Sequence, residues 1–260
     1  VFSAAPAPAP HPSSLHCPRP LCGLHRHPAV RGVAKRPLPA LDDHPVIDLT
    51  DYGQIHASLE GINALAHLAW PVRPYEGCAP ADGTELGAGV RGLYHLLHAA
   101  LARGIKRVVF QSTINITAPS WDNWRVIEGE TPRPGSAGYT LGKTLAEEVC
   151  RVFAHQHPLT IAIIRFGGVF TLEEEGYEHA APDQHDIPSS CVERRDIAQA
   201  YHLALTRPLP SRYEVFHIFH RRPGERFPID KAREILGFEP QYNEEQLWRR
   251  GGLSSRRPPE

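Results

Sequence analysis

From Ala29 onward, short runs rich in β-branched residues alternate with longer stretches whose apolar residues recur every three or four positions. The short runs are Ala29–Ala34, Val46–Leu49, Ala64–Ala69, Arg107–Gln111, Thr160–Phe166 and Tyr213–Phe219, and their length and composition predict strands. One longer stretch, from Gly87 to Arg103, carries Val90, Leu93, Leu97 and Leu101 on a single stripe and predicts an amphipathic helix. A second, from Tyr139 to His155, repeats Leu145, Val149, Val152 and Phe153 at helical spacing; Pro158 ends it, because proline cannot continue a helix. Strand–helix alternation of this kind predicts a parallel sheet covered by helices on both faces.

Residues 1–45 depart from this pattern. They hold ten prolines and no acid before Asp42. Proline removes ladder donors and breaks helices, so the first twenty residues are expected to form neither a central strand nor a helix. A transit peptide is also acid-poor, but the prolines oppose the amphipathic helix it needs. No methionine stands at position 1, so the chain need not begin where translation does. Net charge is −1, which gives no electrostatic reason to expect nucleic acid or an anionic membrane as partner. No apolar run approaches the ~20 residues of a membrane span. Five scattered cysteines argue against a disulfide framework and fit a reducing, cytoplasmic compartment; Cys150, within the second helix, is expected to be an inert buried thiol.

The candidate chemistry lies between Gly104 and Phe170. The run Arg107–Phe110 leads into Gln111–Ser112–Thr113, and Tyr139 and Lys143 follow four residues apart, on one face of the second helix. A phenol with a pKa of about 10 is a poor base at neutral pH, and a close ammonium lowers that value by ~1–3 units. The hydroxyl of Thr113, or of its neighbour Ser112, stands at the C-terminal end of a strand, where open α/β sheets bind ligands. A tyrosine and a lysine at this spacing are equally compatible with a surface pair; the hydroxyl-bearing strand upstream and the strand ending Arg165–Phe170 downstream favour a site.

These residues resemble the extended short-chain dehydrogenase/reductases, the NAD-dependent epimerase/dehydratase family. "VIDLTD" (Val46–Asp51), "GINALAHLAW" (Gly61–Trp70), "GIKRVVFQST" (Gly104–Thr113), "YTLGK" (Tyr139–Lys143), "IIRFGGVF" (Ile163–Phe170), "RRDIAQAYHLAL" (Arg194–Leu205) and "DKAREILGFEP" (Asp230–Pro240) carry the likeness. The resemblance implies a Rossmann-type doubly wound parallel sheet with a small C-terminal α/β substrate-binding part, and NAD or NADP as cofactor. It implies an oxidoreductase or epimerase acting on a hydroxyl of a sugar, sugar acid or nucleotide sugar, with Tyr139 as the acid/base, supported by Lys143 and Thr113, and Ser112 the weaker candidate. Cofactor contacts would come from Asp48 and Leu49, from His67, Leu68 and Ala69, from Lys143 at the nicotinamide ribose, and from Gly168 and Val169. Arg195 is a candidate substrate contact. Lys35 and Arg36 stand where a 2′-phosphate would favour NADP, or are plain solvated charge. Trp121 and Trp124 either stack on a sugar ring or form a lid over the core. The resemblance also implies a homodimer through the helix that bears the tyrosine.

The chain departs from the family pattern in several places. Counting back from "AVRGVAKRP" (Ala29–Pro37), the position of the glycine-rich phosphate loop falls in "SAAPAPAPHPSSL", which has no glycine. Only glycine lets a backbone approach a pyrophosphate closely. Either this is a variant with impaired cofactor binding, or residues 1–28 are a misread frame, since Gly-Ala codons displaced by one base read as Ala-Pro. Gly89 stands where the family often has Asn. The short gap before Arg195–Asp196 favours a substrate smaller than a nucleotide sugar and resembles uronate-dehydrogenase-like members. The cluster His16, Cys17, Cys22, His25 and His27 does not have the spacing of a zinc site. Asp196 is expected to order the start of its own helix. The expected organisation is an atypical segment 1–28, a cofactor-binding domain 29–170, a substrate-binding part 171–248 and a flexible tail 249–260. The leading alternative to an enzyme is a non-catalytic NAD(P) sensor or scaffold on the same fold.

Overall fold

Alternate side chains along a strand point to opposite faces, and here the two faces feed two separate apolar layers. The computed structural model describes residues 2–5, 29–34, 45–71, 85–120, 125–170, 191–221 and 226–242. Five strands come first in the chain: β1 (Phe2–Ala5), β2 (Ala29–Gly32), β3 (Ala64–His67), β4 (Arg107–Thr113) and β5 (Thr160–Phe166). β6 (Gly168–Phe170) and β7 (Cys191–Glu193) form a separate parallel pair, and β8 (Tyr213–His217) returns to the main sheet, whose order is β2-β1-β3-β4-β5-β8. The helices are α1 (Tyr52–Ser58), α2 (Arg91–Ala102, entered through a π-helical turn at Glu85–Val90), α3 (Gly138–Gln156) and α4 (Arg194–Thr206). A further π-helical turn spans Ala232–Leu236.

Leu65, Val108, Phe110, Ile161, Ile163 and Val215 face one layer, formed by α1, α2 and α3. Ala66, Val109, Ala162, Ile164 and Phe216 face the other, formed by α4 and the turn at Ala232–Leu236. β3 through β5 and β8 are mutually parallel. This is the doubly wound sheet that the alternation predicts. α4 and β8 lie beyond Phe170 in sequence, yet both join the main sheet and its second layer. Gly104, at φ +73°, ends α2: its amide bonds Leu101 O and the Ile105 amide bonds Ala100 O, which turns the chain straight into β4.

Three expectations need correction. The first twenty residues do contain a central strand, because Phe2–Ala5 precede Pro6 and keep their amide donors. That strand runs antiparallel to both neighbours, unlike the rest of the sheet. Val46–Leu49 is not a strand: only an isolated parallel bridge joins Val46 to Ala34. Just beyond it the Asp48 carboxylate accepts from the Thr50 amide and hydroxyl, both at 2.8 Å, and folds the chain into a turn. On α3, Leu145 and Val152 are exposed; the buried stripe is Lys143, Ala146, Glu147, Cys150, Phe153 and Ala154. Asp196 stands in the first turn of α4, as expected; Glu193 caps that helix, accepting from the Arg195 amide, and Asp196 also accepts from the amides of Gln241 and Tyr242 and ties down the segment after the last helical turn.

One buried ion pair joins the two central elements of the site. Arg165 of β5 donates to both carboxylate oxygens of Glu147 on α3, at 2.9 and 2.7 Å, with both side chains less than 5% exposed. Its remaining Nη1 donates to the carbonyl of Glu128 at 3.2 Å. Glu147→Ala is expected to lower stability in urea denaturation by about 3–5 kcal/mol, because it strands a buried guanidinium. A loss under about 1 kcal/mol would show that water reaches Arg165.

Candidate active site

The C-terminal edge of the parallel strands collects the polar residues that the core excludes. β4 ends there with Gln111, Ser112 and Thr113, the last two buried. α3 begins beside them, with Tyr139 in its first turn and Lys143 one turn later. The Thr113 side chain stands close enough to the Tyr139 phenol to oppose the rise in its pKa that burial causes, and Thr113 Oγ1 accepts from the Asn115 amide at 3.2 Å. The structure therefore brings Tyr139 and Thr113 together.

Lys143 behaves differently from the expectation. Its Nζ donates to the carbonyl of Gln111 at 2.7 Å, and it lies 4.1 Å from the centroid of the Trp70 indole and 4.9 Å from that of Phe110. The side chain is 1% exposed. Burial holds its pKa down to about 7, with Glu147 and Cys150 pulling it partly back up. The Tyr139 phenol is likewise held above its usual value by burial, with the Thr113 side chain opposing; Lys143 is not among the groups acting on it. The expected lowering of the tyrosine by its neighbouring ammonium is thus not found in this arrangement. The phenol is protonated at neutral pH, and the lysine is the group that titrates there.

Buried polar atoms without partners cluster around Lys143: Ser112 Oγ, Trp70 Nε1 and both ring nitrogens of His67. Burial, reinforced by nearby positive charge that includes Lys143, keeps His67 neutral; its ring stacks on Phe110 with centroids 5.7 Å apart. Leu68 and Ala69 follow directly and pack into the second and first apolar layers respectively. Cys150, as expected, is a fully buried thiol whose pKa burial raises. Leu49 packs on the first layer, and its backbone approaches Gly92 so closely that a Cβ there would stand 3.1 Å from Leu49 O. Gly168 pairs with Cys191, and a Cβ at Gly168 would meet Cys191 Sγ at 2.6 Å; Val169 is half exposed. Arg195 is engaged by Glu193 at 2.9 Å and stacks 3.8 Å over the Tyr242 ring. Lys35, Arg36, Trp121, Trp124, the His16–His27 cluster and the tail 249–260 lie outside the described residues. Among the described residues no group of three or more His, Cys, Asp or Glu could hold a metal ion, and no helix is long and apolar enough to cross a membrane.

A dinucleotide cofactor fits one half of this edge. The unpartnered polar atoms of Ser112, Trp70 and His67, all buried here, are of the kinds that pair with a hydroxyl-rich ribose and a carboxamide. The phosphate half does not fit the described residues. Because β1 pairs Ala4 with Ala64 and Phe2 with Ala66, the chain after Ala5 leaves at the edge where β3 begins, opposite Thr113. The sequence also has no glycine before Gly23.

The sequence reading overlooked Trp70, Gln111 and the Glu147–Arg165 pair. Trp70 had a signal: a large aromatic residue directly after the His-Leu-Ala turn, with a glycine at position 89 in place of the family's usual asparagine.

Lys143 carries a pH dependence whose sign follows from its lowered pKa. Between about 7 in the folded state and 10.5 in the unfolded chain, the unfolded state binds more protons, so stability rises with pH across that window. Lys143→Met is expected to remove this rise in urea denaturation series. An unchanged slope would mean that Lys143 titrates normally.

Comparison with known proteins bears on the family and the fold. The sequence matches the NAD dependent epimerase/dehydratase family over residues 25–188. It is 30% identical over 137 residues to a uronate dehydrogenase of Pseudomonas syringae pv. tomato, covering 51% of this chain and 47% of that one. The chain thus spans about half the length of that relative. It is 24% identical to an NAD-dependent glucose-6-phosphate dehydrogenase of Haloferax volcanii over 76% of this chain and 75% of that one. Uronate dehydrogenase from Agrobacterium tumefaciens shares the fold, with a TM-score of 0.68 at 20% identity, over 88% of this chain and 81% of that one. The family match covers well over half of the sequence, and the chain belongs to the NAD dependent epimerase/dehydratase family.

Proposed function

We propose that this chain is an NAD(P)-dependent oxidoreductase acting on a hydroxyl of a sugar or sugar acid. The observation that carries the reading is the placing of Tyr139 beside Thr113 at the C-terminal edge of the sheet, with the buried Lys143 one helical turn away. Relatives named for uronate, glucose 6-phosphate and L-arabinose support the substrate class.

Each residue has a definable task. The Thr113 hydroxyl, beside the phenol, orients the substrate oxygen at Tyr139 Oη. Tyr139 passes a proton to that oxygen in the reducing direction and takes it back in the oxidising direction. Lys143 would hold the cofactor ribose and, once shifted from the Gln111 carbonyl towards the phenol, favour the phenolate. Ser112, His67 and Trp70 supply the unpartnered polar atoms that a bound ligand would satisfy. Bound NAD supplies the hydride acceptor. Both NAD and NADP remain candidates, since Lys35 and Arg36 bear on the choice. A homodimer through α3 would cover Leu145 and Val152, which are 42% and 43% exposed.

A second reading is a non-catalytic sensor or scaffold. The reversed β1 and the glycine-free stretch before Gly23 favour it. Thermal melts with NAD⁺ and NADP⁺ separate the two, because a ligand that binds only the folded state raises the midpoint. A rise with either, and turnover on a panel of uronates, aldoses and sugar phosphates, is expected. Neither a rise nor turnover would favour the scaffold. Tyr139→Phe is expected to cost ~10²–10⁴ in kcat with an unchanged circular dichroism spectrum. Retained activity would refute the assignment.

A further inference from the structure

Lys143 sits in a cover made by aromatic side chains. The indole of Trp70 and the ring of Phe110 meet at 70°, with centroids 6.2 Å apart, and both faces lie within reach of Nζ. Trp70 reaches this position only because position 89 is glycine. A Cβ there would stand 2.8 Å from Cζ2 and 2.9 Å from Cη2 of the indole. Gly89 is buried, and the left-handed backbone that favours glycine occurs at Gly61, Gly104 and Gly237 instead. Space, not conformation, accounts for this glycine.

We propose that Trp70 is a positioning residue for Lys143: its indole, seated in the room left by Gly89, seals the ammonium from water and holds it on the Gln111 carbonyl. The functional weight of this rests on the reading of Lys143 as the partner of Tyr139. The inference adds that the lysine's readiness is set by a residue outside the Tyr139–Thr113–Lys143 triad. Two effects of the indole oppose each other. Its face attracts the cation. Its bulk excludes water and so removes the hydration that favours the charged form. The second is larger, in agreement with the lowered proton affinity of Lys143. The charged or titratable groups acting on the ammonium are Glu147 and Cys150 on its own helix and His67 on β3. Glu147 is already committed to Arg165, Cys150 is a buried thiol and His67 is neutral, so none replaces the lost water.

The test follows the protonation of Lys143 itself and needs neither substrate nor cofactor. The chain has four lysines, Lys35, Lys106, Lys143 and Lys231, so ¹³Cε-labelled lysine resonances can be assigned with Lys143→Arg and titrated one by one. Trp70→Ala is expected to admit water and move the Lys143 midpoint upward from about 7 by roughly one unit or more. Gly89→Ala, which only displaces the indole, is expected to move it the same way. Trp70→Phe, which keeps an aromatic cover, is expected to retain most of the depression. A midpoint unmoved in both Trp70→Ala and Gly89→Ala overturns the inference. Inactivity on sugars, with the midpoint moving as described, overturns the proposed activity and leaves the role of Trp70 standing.

Discussion

A lysine buried to 1% exposure is an expensive feature, and the neighbouring structure is arranged around it. Its ammonium has one hydrogen bond to Gln111 O and two aromatic faces, which compensate incompletely. The carboxylate that could neutralise it, Glu147, lies one turn along α3 but is held bidentate by Arg165. That pair fixes α3 against β5, and α3 in turn sets where Lys143 and Tyr139 meet the end of β4. The group with a proton to exchange at neutral pH is therefore the lysine, while the phenol it accompanies stays protonated.

Much of this was legible in the residues. The strand runs at Arg107, Thr160 and Tyr213 and the spacing of Tyr139 and Lys143 put the right groups at one sheet edge, because strand period and helix period are local properties. Part of what failed depended on partners distant in sequence. Leu145 and Val152 have helical spacing and apolar side chains, yet the buried stripe of α3 is carried, apart from Phe153, by small and polar residues, since Arg165 supplies a partner for Glu147 and the aromatic cover one for Lys143. Val46–Leu49 has the composition of a strand, but Asp48 uses its carboxylate to turn the chain at Thr50. The link between Trp70 and Gly89 is a matter of size complementarity between two segments nineteen residues apart, and no periodicity reports it.

The first strand is the element that fits the family least. Its slot between β2 and β3 is filled, so the sheet keeps its hydrogen bonds, but it is filled in the reverse direction by four residues that precede the first proline. In the parallel direction such a strand would end on the side of Lys143, where a following turn could cradle phosphates; here β1 ends at the opposite edge, where β3 begins. The chain thus combines a sheet edge that gathers Tyr139, Thr113 and Lys143 with a phosphate side that its described residues do not build.

The central claim is that Lys143, Tyr139 and Thr113 together form the reacting edge of a nicotinamide site. The most direct measurement is a crystal structure of the chain with NAD⁺. The account predicts the nicotinamide ribose within hydrogen-bond reach of Lys143 Nζ and Tyr139 Oη, at ~2.7–3.2 Å, with Nζ drawn from the Gln111 carbonyl. A cofactor bound elsewhere, or Lys143 still sealed beneath Trp70 with NAD⁺ in place, would contradict it.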